Sequence, residues 1–289
     1  MHVIILDVGT SSMASSVYSD AGKCLFTASK EYSTEFIYPS MVEQDPLIWR
    51  NAAFEVLSKT AAFASQKDLD ISAIAVTSQR ASLIAVDKDG EPMRKAIMWQ
   101  DKRTASECEE MEKHISMREL YLKTGLRLSP YAVLPRIIWL RENERDTFNK
   151  AYKLMGVQDF VIHSLTGQYK TDWTQAARTM LMDITKFSWD DDLLNIAHLN
   201  KDKLCELVPP GSVAGGLTEY AANQTGLKSG LPVIICGGDQ QNAAVGLNVI
   251  KPGVAEANTG TGSFIIAHAE KPVFDDDCRL ICSASAIKG

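Results

Sequence analysis

Basic residues are not in excess in this 289-residue chain: 30 Lys and Arg stand against 36 Asp and Glu, a formal net charge of −6. Without the clustered cations that neutralise a phosphate backbone, no nucleic-acid partner is expected. No apolar run approaches the ~20 residues that span a bilayer, so no membrane partner is expected either. The apolar run Val3-Ile4-Ile5-Leu6 ends at Asp7 and has no basic start before it, too little for a secretory signal. Six cysteines (Cys24, Cys108, Cys205, Cys236, Cys278 and Cys282) show no Cys-x-x-Cys spacing, and the five histidines form no metal signature with them. This scatter predicts reduced thiols and a cytoplasmic location.

What is present is an ordinary globular composition, 45% hydrophobic and 8% aromatic, long enough for more than one domain. The chain is organised around Val233 to Gly246, where a four-residue apolar run flanked by glycines predicts a buried strand ending at Asp239. The small residues Ala243, Ala244 and Gly246 predict a helix packed closely on a sheet. Asp239 then lies at the carboxyl end of a strand, where open α/β sheets bind ligands. There it can take a proton or hold a metal; the other reading is a helix cap.

At the start of the chain, Val3 to Leu6 and Ser15 to Tyr18 predict a β-hairpin around Gly9-Thr10-Ser11-Ser12. That turn offers backbone N–H groups and three hydroxyls, suited to phosphate oxygens. Asp7 beside such a cradle would be repulsive unless a divalent cation stood between them. Asp45 and Pro46 predict the start of a helix with Ile48, Ala52, Val56, Ala61 and Phe63 at near-helical spacing.

Ile74 to Thr77 predicts a strand ending in Gln79-Arg80, and Ala96 to Trp99 another ending in Gln100-Asp101. Guanidinium, amide, carboxylate and one aromatic face make a mixture suited to a sugar or polyol. A charged helix is expected from Arg103 to about Met117, and another opening at Leu128-Ser129-Pro130-Tyr131. Beyond the central stretch, Val254 to Ala257 predicts a strand leading into a second Gly/Thr turn, Gly260-Thr261-Gly262, with further strands at Phe264 to Ile266 and Leu280 to Cys282.

The two turns resemble the facing phosphate loops of the actin-like ATPase architecture. With Asp239 added, the chain resembles the FGGY carbohydrate kinases, the family of glycerol kinase, xylulokinase and gluconokinase. The resemblance runs through Leu6 to Thr10, Glu43 to Pro46, Ala96 to Thr104, Arg178 to Met182, Gly238 to Gln241 and Gly260 to Gly262. Tyr131 to Leu140 is also similar to the family signature, with Arg136 where a Lys is usual. Ala81 departs from the pattern, since glycerol kinases carry a Glu after the pocket Arg and xylulokinases a Met-His pair at this place.

What the resemblance implies is an α/β fold: an actin-like ATPase (ribonuclease H-like) domain with a mixed sheet and flanking helices, and the beginning of a second. Residues 1–248 would be the sugar-binding and catalytic domain and 249–289 the incomplete start of an ATP-binding domain. The implied activity is ATP-dependent phosphorylation of a sugar or polyol hydroxyl, with Asp239 as general base. Mg²⁺ would be held by Asp7 through water, and ATP phosphates by Gly9, Thr10, Ser11, Ser12, Gly260, Thr261 and Gly262. Arg80, Trp99, Tyr131, Gln240 and Phe264 would line the acceptor pocket. Family members run on past Thr261 into an adenine-binding region, so a fragment or an incomplete nucleotide site is expected, with unpaired apolar strands that associate into homo-oligomers. A sugar-binding protein without catalysis is the alternative.

Overall fold

A computed structural model of the chain describes residues 1–38, 40–259 and 263–287. Its centre is a six-stranded mixed sheet made of β1 (His2–Val8), β2 (Ser12–Ser19), β3 (Cys24–Glu31), β4 (Ile71–Ser78), β5 (Ser212–Gly216) and β6 (Pro232–Gly238), in the order β5-β6-β4-β1-β2-β3. The hairpin β1-β2 and the turn into β3 are antiparallel, as the sequence predicts, while β1, β4 and β6 run parallel. The register pairs Val8 with Ser78 and Ser78 with Gly238. Three carboxyl ends therefore open side by side, and the segments Gly9 to Ser12, Gln79-Arg80 and Asp239-Gln240 leave the sheet together.

Helix α1 (Pro46–Gln66) covers one face. Asp45 caps it, accepting from Leu47 N at 3.0 Å, and Pro46 occupies the first turn, where a missing N–H costs nothing. Its buried stripe is Trp49, Ala53, Val56, Leu57, Thr60 and Ala64, set against Ile4, Leu6, Met13 and Val17 of the sheet. Each large apolar side chain so buried contributes about 1.5–3 kcal/mol. Of the residues expected on this face, Ile48 and Phe63 lie at its edge, half-buried, and Phe63 stacks on Phe26 at 4.6 Å. The same core receives α2 (Val157–Thr166) and α3 (Glu219–Thr225).

A second apolar core gathers residues between Leu83 and Leu204, including Leu134, Ile137, Met180, Leu181 and Leu193, together with Ala284. The expected helix from Arg103 to Met117 is broken here: one segment spans Ala105–Met111, and Ser116 caps a new one over Met117–Thr124. The helix expected from Leu128 begins only at Val133, because Ser129 to Ala132 form a turn closed by Ala132 N donating to Ser129 O.

After β6 comes α4 (Asp239–Gly246). Only Ala244 is buried on it, and Gly246 faces open space, so the close packing expected of its small residues is confined to Ala244. Strands β7 (Ala255–Thr259) and β8 (Ser263–Ala267) pair antiparallel. Leu280 to Cys282 is not a strand: Cys282 N donates to Gly125 O and Leu280 O accepts from Tyr121 Oη, laying this segment along the helical lobe. No helix among the described residues is long and apolar enough to cross a membrane.

Candidate active site

Asp239 is the first residue of α4, and Gly238 takes the cap position, so the helix-cap reading of Asp239 does not hold. Its carboxylate accepts from Gln240 N at 2.8 Å and is exposed on the open side of the sheet. Burial of its surroundings raises its pKa above the ordinary carboxylate value, while Arg80 and the Gln240 N–H work in the opposite direction. Across the sheet, Asp7 is also raised, by burial first and then by the Asp239 charge. Two carboxylates near enough to repel, neither in an ion pair among the described residues, form an oxygen-rich, negative edge, the donor chemistry a hard divalent cation prefers. Among the described residues no three His, Cys, Asp or Glu side chains converge, so the donor set suits an ion that keeps most of its water.

The Gly9 to Ser12 turn is fixed from below. Gly9 N donates to Ser12 O at 2.9 Å, and a side chain on Gly9 would meet that same oxygen at 2.9 Å. The Tyr32 hydroxyl lies 2.7 Å from Gly9 O and 2.9 Å from Ser12 O, donating to both carbonyls. The Thr10 hydroxyl donates to Gln79 Oε1 at 3.2 Å and accepts from Trp99 Nε1 at 3.0 Å. Thr10 thus joins the turn to the neighbouring pocket, and Ser11 and Ser12 keep exposed side chains. The second expected turn, Gly260-Thr261-Gly262, lies outside the described residues.

Arg80 donates from Nη2 to Gln240 Oε1 at 2.7 Å. Burial, then the neighbouring Arg178, pull its guanidinium down to about 9, still cationic at neutral pH. Trp99 is 37% exposed and Tyr131 38%, both presenting ring surface beside a buried anchor, Arg136. Arg136 donates to the carbonyls of Ala81, Trp99, Asp101 and Pro130, holding the segments that carry the pocket residues. Asp101, by contrast, belongs to the scaffold: fully buried, it receives Arg103 and Val42 N. Phe264 stands on β8, 49% exposed, and no hydrogen bond or ion pair among the described residues ties β8 to Arg80 or Asp239.

Sequence reasoning missed the set that holds Asp239 in place. Asp172 Oδ2 accepts from Gln158 Nε2 at 2.6 Å and Oδ1 from Thr174 Oγ1 at 2.6 Å. Thr174 Oγ1 in turn accepts from Gly238 N at 2.8 Å, and Gln158 Oε1 from Gly237 N at 3.0 Å. Gly237 has φ +100, and a Cβ there would stand 2.4 Å from Thr174 Oγ1. Tyr32 was missed in the same way. The Asp172-x-Thr174 spacing is the local signal that could have marked the first, since Asp there accepts from Thr174 N at 2.7 Å as a helix cap does.

A mixed sheet that brings Asp7, the Gly9 to Ser12 turn, Asp239 and the Arg80–Gln240 pair to adjoining strand ends is an α/β fold of the actin-like ATPase type. The description "FGGY family of carbohydrate kinases, N-terminal domain" matches residues 2–246, and the chain belongs to that family. Glycerol kinase of Thermococcus onnurineus is 34% identical over 292 residues, 99% of this chain and 58% of that kinase. Xylulose kinase of Staphylococcus xylosus is 27% identical over 276 residues, 96% of this chain and 57% of that one. Among solved structures, ligand-bound xylulose kinase from Lactobacillus acidophilus superposes with a TM-score of 0.92 at 27% identity, covering 99% of this chain and 58% of that one. Plasmodium falciparum glycerol kinase with ADP gives 0.84 at 26%, covering 91% and 54%. The chain spans a little over half the length of these relatives.

Proposed function

We propose that the chain forms the acceptor-binding and catalytic part, residues 1–248, of an enzyme that phosphorylates a sugar or polyol hydroxyl with ATP, and that residues 249–289 open its ATP-binding part. The observation that carries this reading is the opposition of Asp239 and Asp7 across the ends of parallel strands, with the Arg80–Gln240 pair beside them. Asp239 would take the proton of the attacking hydroxyl. Its raised pKa makes it a better base than an ordinary carboxylate. Asp7 would hold Mg²⁺ through water, and the ion would supply neutralisation of phosphate charge when bound. In the Gly9 to Ser12 turn, whose Gly9 N–H is taken by Ser12 O, the Thr10 and Ser11 N–H groups would orient the transferred phosphate, while Arg80, Gln240, Trp99, Tyr131 and Phe264 would position the acceptor. Gly260, Thr261 and Gly262 would meet the phosphates from the other side.

The test is ³¹P NMR of the chain with Mg-ATP and a panel of polyols, sugars and sugar acids, beside the Asp239→Asn variant. An acceptor is expected to raise the melting temperature, and any phosphoester formed should be lowered about 10²–10⁴-fold in the variant; equal rates would remove Asp239 from the chemistry. For the non-catalytic alternative, an acceptor would raise the melting temperature with no phosphoester formed. Copies are proposed to associate through exposed apolar side chains such as Ile265, 78% exposed, which a concentration-dependent elution volume would reveal.

A further inference from the structure

Three side-chain hydrogen bonds join the Gly9 to Ser12 turn to the acceptor pocket, and the chemistry of their ends fixes the direction of each. Trp99 Nε1 can only donate, and it lies 3.0 Å from Thr10 Oγ1. Gly9 O can only accept, so Gln79 turns its amide nitrogen to that carbonyl, Nε2 donating at 3.2 Å, and leaves Oε1 for Thr10. The single proton of the Thr10 hydroxyl therefore goes to Gln79 Oε1, at 3.2 Å. With that proton committed, the hydroxyl has none to offer a phosphate oxygen.

The members of this chain differ in freedom. Gln79 is 4% exposed and pinned at its backbone, N donating to Val8 O at 2.9 Å and O accepting from Ser78 Oγ at 2.6 Å. Trp99 is pinned at its backbone too, N donating to Ser82 Oγ and O accepting from Arg136 Nη2. Its ring is exposed on the pocket side, and the bond to Thr10 uses the only polar atom the ring has. In the turn, Tyr32 donates to the carbonyls of Gly9, Ser11 and Ser12, while the N–H groups of Thr10 and Ser11 donate to no carbonyl among the described residues. A free backbone donor of the turn and the anchor of the pocket's aromatic ring thus belong to one residue.

Resting on the kinase reading above, we propose that Thr10 is a positioning residue that couples the two substrates: its N–H meets the phosphate, its hydroxyl carries the Trp99 ring, and each ligand sets the residue for the other. Hydrogen bonds in series polarise one another, and Gln79 gives the series a fixed end. Such coupling is reciprocal, so an acceptor stacked on Trp99 tightens the phosphate by the factor the phosphate tightens the acceptor.

The test is ¹H–¹⁵N NMR of the chain titrated with Mg-tripolyphosphate, following the Trp99 indole N–H, which is assigned by its loss in Trp99→Phe. The indole signal should move as the anion fills the turn, with no acceptor present. Thr10→Ser keeps the hydroxyl and should keep the response. In Thr10→Val the backbone amides of residues 10 and 11 should still report the anion while the indole signal stays in place, and the melting temperatures of both variants verify that they are folded. With an acceptor from the panel added, the native chain should bind the anion about fivefold or more tightly, a gain absent in Thr10→Val.

An indole signal that the anion does not move in the native chain, or moves equally in Thr10→Val, overturns the proposal, as does an acceptor gain that survives Thr10→Val. Loss of anion binding in Thr10→Val with retention in Thr10→Ser overturns it as well, since the hydroxyl would then be a phosphate ligand. A responding indole in a chain whose melting temperature no acceptor raises sinks the kinase reading and leaves the Thr10 link standing. An acceptor that raises the melting temperature beside an unresponsive indole sinks the link alone.

Discussion

Arg80 lies across Gly238 so closely that a Cβ on the glycine would stand 2.4 Å from Arg80 Cδ and 2.7 Å from Nε. The glycine just before Asp239 is thus the floor on which the pocket guanidinium rests. Gly238→Ala keeps an ordinary backbone conformation and can be accommodated by swinging Arg80 away, so the fold should lose about 1–3 kcal/mol while acceptor affinity drops more than stability does. Gly237→Ala is different. At φ +100, with Thr174 Oγ1 at 2.4 Å and Asp172 Oδ1 at 2.9 Å, the added methyl has neither a relaxed backbone nor a yielding neighbour. Its stability loss should exceed that of Gly238→Ala, and chemical denaturation of the two variants beside the native chain checks the order.

Thr174 tests whether the buried hydrogen-bond set behind Asp239 acts as one piece. Thr174→Val preserves shape but leaves the Gly238 N–H without the bond it makes at 2.8 Å and takes from Asp172 Oδ1 its 2.6 Å bond, that oxygen still accepting from residue 174 N. A loss of about 1–3 kcal/mol is expected for one buried donor left unpaired. Turnover should fall further than Thr174→Ser lowers it, because Ser keeps the hydroxyl that fixes the Asp239 loop. Equal turnover in the two variants would make Thr174 a matter of stability alone.

How much of this was legible in the sequence follows from distance along the chain. Asp45 with Pro46, the glycines before Asp239 and the β1-β2 hairpin are local patterns, and each formed where periodicity and turn chemistry placed it. The helix predicted across Arg103 to Met117 failed at a local signal too, the Ser116 cap, which a run of charged residues concealed. Tyr32, Gln158 and Thr174 were not legible because their partners lie far away in sequence: Gly238 N and Thr174 Oγ1 are 64 residues apart, and Arg80 and Gln240 are 160 apart. Composition and spacing carry no information about which distant backbone N–H a side chain will reach. Trp99-Gln100-Asp101 shows the converse error, since a triplet that looks uniformly suited to a ligand sends Asp101 into the scaffold to receive Arg103.

Asp159 makes the stability of the fold depend on pH. It is buried in the wall of a cavity of about 30 Å³, with Oδ2 accepting from Gly156 N at 2.8 Å and Oδ1 without a partner among the described residues. Burial pushes its carboxyl up to about 7, against hydrogen bonds that pull it down. The folded state therefore keeps this proton where the unfolded chain, at about 3.9, has released it. Stability contributed by the bound proton is fully present below pH ~4 and is lost as pH rises through about 7, at up to ~1.4 kcal/mol per pH unit within that window. Asp159→Asn should flatten this decline. Denaturation midpoints of the two proteins between pH 5 and pH 8 should diverge, and parallel curves would show that Asp159 is ionised throughout.

Asp7 and Asp239 follow the same sign at a functional cost. Both carboxyls are raised in the fold, so in the absence of divalent cations their ionised forms work against stability at neutral pH. Asp7→Asn removes the charge that Asp239 repels and keeps a polar side chain of the same shape. It should raise the melting temperature at pH 7 in EDTA, with the gain fading as pH falls toward the ordinary carboxylate range, where the native side chain is itself protonated. Added Mg²⁺ should reverse the order, raising the melting temperature of the native chain and leaving the variant unmoved, since an ion that binds only the folded form stabilises it by mass action. A native chain that Mg²⁺ does not stabilise, beside an Asn variant that gains at neutral pH, would mean that the opposed carboxylates are strained against one another without an ion to relieve them in this chain alone.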